Sequence, residues 1–164
     1  MKHSKKKIVS AAVVLLLLAV VVMLLGWYLQ KDPPADSGTQ SSLAVESGAE
    51  EWSGSLADTG QSGMGGTKIP GYDTITFPAD SKQVRLTLPN DAENNCYLQY
   101  TLLLEGEVLY TSGLIEPGKA VKDLKLNRSL EQGTYQLTIQ VQPYSLDDRQ
   151  PQVNANVRAK LVVS

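Results

Sequence analysis

The stretch LEQGTYQLTIQV, residues 130–141, decides the fold. Tyr135, Leu137, Ile139 and Val141 alternate with Gln136, Thr138 and Gln140. A period of two sends successive side chains to opposite faces, so this is a strand with one face buried and one wet. The same alternation recurs on both sides of it. VRLTL at 84–88, CYLQYTLLL at 96–104 and VNANVRAKLVV at 153–163 each carry an apolar set on one parity and a polar set on the other. Shorter runs, DTITF at 73–77, VLYT at 108–111 and VKDLKL at 121–126, fill the gaps. Turn residues separate them: Glu105-Gly106 fits a tight hairpin, and Pro117-Gly118 fits a β-turn. Seven short strands with regular turn signals predict an all-β domain, an antiparallel seven-stranded sandwich over residues 69–164. Leu124–Gln132 has room for one helical turn before Gly133.

Upstream the composition changes twice. Ile8–Leu29 is an apolar run without a charge. As a helix it would extend roughly 33 Å, enough to cross a hydrocarbon core of about 30 Å. Lys2, Lys5, Lys6 and Lys7 precede it, and Trp27 and Tyr28 stand at its far end. Positive flanks stay cytoplasmic and amphipathic aromatics favour the interface, which predicts an uncleaved signal-anchor with the remainder outside. The run is long for a cleaved signal peptide and lacks a small-x-small site, and no lipoprotein cysteine follows it. Residues 1–7 are then a cytoplasmic basic flank and 8–29 a single transmembrane helix. Residues 30–68, rich in Gly, Ser, Asp and Glu, read as a flexible, mildly acidic stalk with too little apolar surface to offset the entropy of ordering. LADTG at 56–60 looks like a cell-wall sorting signal, but that signal works just before a C-terminal apolar segment and basic tail, and neither follows it here. Trp52 is expected to be a solvated stalk residue.

Glu131, Gly133, Tyr135 and Leu137 stand at the spacing of the D-x-G-x-Y-x-C motif, with Glu in place of Asp and Leu in place of Cys. On those residues the domain resembles bacterial immunoglobulin-like and fibronectin-III-like sandwiches. The resemblance implies a tyrosine corner, in which the Tyr135 ring packs inward and its hydroxyl bonds a carbonyl near Leu130. Gly133 is expected to sit where a side chain would clash. No second cysteine and no tryptophan on 96–104 are present, so Tyr100 should be the large core residue. The stretch 71–119 is also similar to small membrane-anchored proteins of Gram-positive gut bacteria, which implies an envelope location and no mechanism.

The net charge of −2 provides no basic footprint for nucleic acid. Cys96 is alone, so no internal disulfide forms, and it fits a core strand position better than a link between chains. The only histidine, His3, lies in the cytoplasmic flank, no nucleophile elbow or zinc spacing is present, and Glu105 and Glu107 read as solvated hairpin ends rather than a glycosidase pair. No enzyme and no cofactor is expected. Asp91, Glu93, Asp147 and Asp148 lie in two acidic loops with oxygen ligands of the type calcium takes, but neither loop matches an ordered calcium motif. The predicted binding face is the wet side of the last two strands: Gln136, Thr138, Gln140, Asn154 and Asn156, with Gln142 beside them and Arg158 and Lys160 at its margin. Gln99 and Thr101 extend it onto a third strand, and Tyr97, Tyr110 and Tyr144 are candidate stacking platforms for sugar. Two functions follow as expectations. One is a non-catalytic, membrane-anchored interaction or structural module with a protein partner in the envelope or in a secretion assembly. The other is a glycan- or calcium-binding domain acting alone.

Overall fold

The computed structural model describes residues 43–54, 56 and 66–164. The expected membrane span, 8–29, lies outside them, as does most of the predicted stalk. The described residues are all-β, with no helix; none there is long and apolar enough to cross a membrane. Eight strands occur in order: β1 (Glu50–Glu51), β2 (Thr74–Phe77), β3 (Gln83–Asn90), β4 (Cys96–Leu104), β5 (Glu107–Thr111), β6 (Lys119–Lys125), β7 (Gly133–Ser145) and β8 (Ala155–Val163). The seven expected strands are β2 to β8. Leu124–Gln132, with room for a helical turn, forms none.

Two sheets result. One has the order β1-β6-β3, the other β2-β8-β7-β4-β5. Their inward residues form one core. Leu88 and Leu124 come from the first sheet, and Phe77, Leu98, Tyr100, Leu102, Leu137, Ile139 and Leu161 from the second. The alternation thus separates faces as the sequence predicts, and Tyr100 is fully buried. Glu105 and Gly106 both have positive φ, 52° and 87°, the geometry of a primed two-residue hairpin. Gly118, with φ of 77°, turns the chain into β6.

Three expectations change. The pairing is not wholly antiparallel, because β2 runs parallel to β8, from Thr74 opposite Lys160 to Phe77 opposite Val163. The last strand begins at Ala155 and not at Val153, which is 54% exposed. The third change concerns the segment read as stalk. Glu50 and Glu51 pair with Ala120 and Lys119, adding β1 to the three-stranded sheet. Just before it, Val45 pairs with Leu114. The Glu46 amide donates to the Leu114 carbonyl (2.8 Å), the Leu114 amide to Ala44 (2.9 Å), and the Trp52 amide to Gly118 (2.8 Å). The Glu46 carboxylate accepts the Gly113 amide at 2.7 Å. Residues 43–52 therefore form a strap along 112–120, the chain that leaves one sheet and enters the other. Gly113 allows the close approach, since a Cβ there would lie 2.9 Å from the Ala44 carbonyl oxygen. The outer edge of β5 is covered differently: Asn127 donates its amide to Leu109 (2.8 Å) and its side chain to Val108 (2.9 Å). Both devices occupy edge groups that would otherwise template pairing with another chain.

Candidate functional site

Strand β7 lies between β8 and β4, and its even-numbered residues point away from the core. The register then builds a polar face row by row. Gln140 lies opposite Asn156 on one side and Thr101 on the other. Thr138 lies opposite Arg158 and Leu103, and Gln136 opposite Lys160. Directly opposed residues have Cβ atoms roughly 5 Å apart, so these side chains form one continuous surface. Thr111 extends the Gln140 row, its hydroxyl 3.5 Å from that of Thr101. Gln136, Asn156, Arg158 and Lys160 are exposed; Thr138 and Gln140 are half-buried by their neighbours.

The structure brings together four of the five predicted binding residues: Gln136, Thr138, Gln140 and Asn156. Asn154 precedes β8 and stands outside the ladder. Arg158 and Lys160, read as the margin, occupy full rows of the face. Alternation alone cannot distinguish margin from centre, because the answer depends on where β7 and β8 pair. Gln99 is a further correction. It is buried, its amide donates to the Ser112 carbonyl (3.0 Å), and its oxygen accepts the Tyr144 hydroxyl (3.3 Å). Gln142 donates to the carbonyls of Pro143 and Gln152. Tyr97 lies beneath the Arg149 guanidinium, 5.9 Å from its ring centre, so that platform already carries a cation–π partner. Tyr110 is partly buried in the core, and burial, then the charge of Glu46, pushes its phenol up to about 12.

The acidic loops meet at one end of the sheet, because Cys96 pairs with Ser145. Asp91, Glu93 and Asp148 have partners within the fold. Asp91 is buried and accepts the amides of Glu93 (2.9 Å) and Leu56 (3.1 Å) on its two oxygens. Burial alone would raise this carboxyl, but those two amides and nearby Lys68 together hold it below the usual carboxylate range. Glu93 pairs with Lys68 at 2.7 Å. Asp148 accepts the Ser145 hydroxyl and the Gln150 amide, while Asp147 is exposed. Among the described residues no group of three or more His, Cys, Asp or Glu gathers. Asn90 and Asn94, which flank these carboxylates, are buried organisers. The Asn90 amide donates to Cys96 and Ile115 (2.8 Å each) and its oxygen accepts from Asn94 (2.8 Å). Asn94 in turn clamps the backbone of Lys68 in both directions, at 2.7 and 3.0 Å. Cys96 is buried, its sulfur 3.8 Å from the Thr67 hydroxyl; burial raises its pKa against that hydroxyl's opposing effect.

Gly133 and Tyr135 meet as the motif implies. The Tyr135 hydroxyl donates to the Glu131 carbonyl at 2.9 Å, and a Cβ on Gly133 would lie 3.1–3.2 Å from the same ring. No family model matches the chain, and neither a curated protein nor a solved structure does.

Proposed function

We propose that this chain is a non-catalytic interaction module of the cell envelope, tethered by residues 8–29 and displayed outside the membrane. Its binding surface is the outer face of β8, β7 and β4. The domain is an immunoglobulin-like sandwich in this reading, supported by the Tyr135–Glu131 corner and by a sheet order that sets β7 between β8 and β4. The observation that carries the functional reading is the ladder itself. Thr138, Gln140, Asn156, Arg158 and Lys160 share one face, and none has a side-chain hydrogen bond or ion pair among the described residues. Elsewhere the polar groups are spent on the fold, as Asn90, Asp91 and Gln99 are. A face of unspent donors and acceptors is available to a ligand.

The test is photo-crosslinking in intact cells, with a photoreactive residue at Gln140 or, as control, at Lys125 on the other sheet. An adduct from Gln140 and none from Lys125 is expected. Equal yields at both positions, or none at Gln140, contradict the proposal.

A further inference from the structure

Residues 41–164 contain ten Lys and Arg against fifteen Asp and Glu, so the folded unit is acidic. Its polar ladder is not. The outward positions of β8, β7 and β4 hold threonines, amides, two cations and the half-buried Leu103, Val162, Tyr97 and Tyr144, and no carboxylate; the carboxylate of β5, Glu107, is engaged by Arg128. Among the described residues Lys68–Glu93, Arg85–Asp123, Lys119–Glu116 and Lys122–Glu50 pair elsewhere, and Arg128–Glu107 pairs at the hairpin end of β5. Arg158 and Lys160 are exposed and unpaired among the described residues. An acidic domain that keeps carboxylates off one face presents a local positive field there, which attracts anions despite the net charge.

We propose that this face binds an anionic, hydroxyl-rich polymer, specifically a polyol phosphodiester chain. The proposal rests on the reading above that the ladder is the binding surface. Arg158 and Lys160 are two residues apart on one strand, so their positions repeat at roughly 6.7 Å. That is close to the distance between successive phosphates of an extended glycerol phosphodiester. The Arg158 fork fits phosphate oxygens in bidentate fashion, and Lys160 supplies a second point charge. Thr138, Gln140 and Asn156 then offer donors and acceptors to the polyol hydroxyls. Two other occupants fit less well. Protein interfaces centre on exposed aromatic and large apolar anchors; among the described residues the exposed large apolar side chains are Leu43, Val45, Leu146 and Val153, none on this face, and its Leu103 and Val162 are half-buried. The same absence leaves nothing to insert into a bilayer.

The experiment uses the full chain in phosphatidylcholine nanodiscs, with poly(glycerol phosphate) as probe and dextran and single-stranded polythymidine as controls. The wild type should bind poly(glycerol phosphate) and not dextran. Affinity should fall about sevenfold over a fourfold rise in salt, as for two charges neutralised on a flexible polyanion. R158Q/K160Q should weaken binding about tenfold with an unchanged melting profile, and K82Q/K125Q should leave it unchanged. Absence of polymer binding, an unaffected double variant, or equally tight binding to polythymidine overturns the proposal. So does binding to phosphatidylglycerol vesicles through the same two cations without binding to the polymer. Failure here is separable from failure of the functional reading: a protein adduct from Gln140 with no polymer binding removes the ligand class and keeps the face, and no adduct with no binding removes both.

Discussion

Tyr135 and Tyr100 show how burial decides what a hydroxyl is worth. Both donate to a backbone carbonyl, Tyr135 to Glu131 and Tyr100 to Pro89. The Tyr135 bond lies at the surface, where water can replace it. Tyr100 is fully buried, and burial raises its phenol well above the ordinary value. Deleting the Tyr100 hydroxyl removes a buried donor from the Pro89 carbonyl. Tyr100→Phe should therefore cost about 1–3 kcal/mol, and Tyr135→Phe under about 1 kcal/mol. Thermal melts of the two variants check the order, and the reverse order would mean that the corner, not the core phenol, holds the sheets together. The sequence pointed to Tyr135 because its motif is local. The Tyr100 ring was legible from the alternation, but its acceptor lies on β3, a contact that no local spacing encodes.

At the scale of elements, the strands that bury a face were legible and those held by backbone alone were not. Leu137, Ile139 and Val141 announce β7 because the core takes every second residue. Glu50 and Glu51 are both exposed, so β1 leaves no apolar pattern to read. It exists because β6 offers a free edge. Nor does polar character alone reveal that Asn90 and Asn94 are buried. Within the polar face, which residues alternate outward was readable, but their rows were not, since Gln140 meets Asn156 only through the pairing of β7 with β8. The strap gives a direct test. Glu46→Ala removes the acceptor of the Gly113 amide and should cost about 1 kcal/mol, a fall of a few degrees in Tm for a unit of this size. An unchanged Tm would mean that residues 43–52 behave as stalk.

For the whole molecule, the central claim is that the domain carrying the ladder stands outside the membrane. It rests on the charge-free run Ile8–Leu29 behind a lysine cluster and on a face whose polar groups are left over from folding. The domain itself supplies a clean reporter. Its one cysteine, Cys96, is buried at 2% exposure and should be silent towards a membrane-impermeant maleimide. Val153 is 54% exposed, sits just before β8 and lies off the polar ladder. Val153→Cys should leave the fold intact and present a single reactive thiol. With intact cells whose wall has been removed, Val153→Cys is predicted to label fully without lysis, while the parent chain stays unlabelled. Labelling of Val153→Cys only after the membrane is broken would place the domain inside and contradict the account.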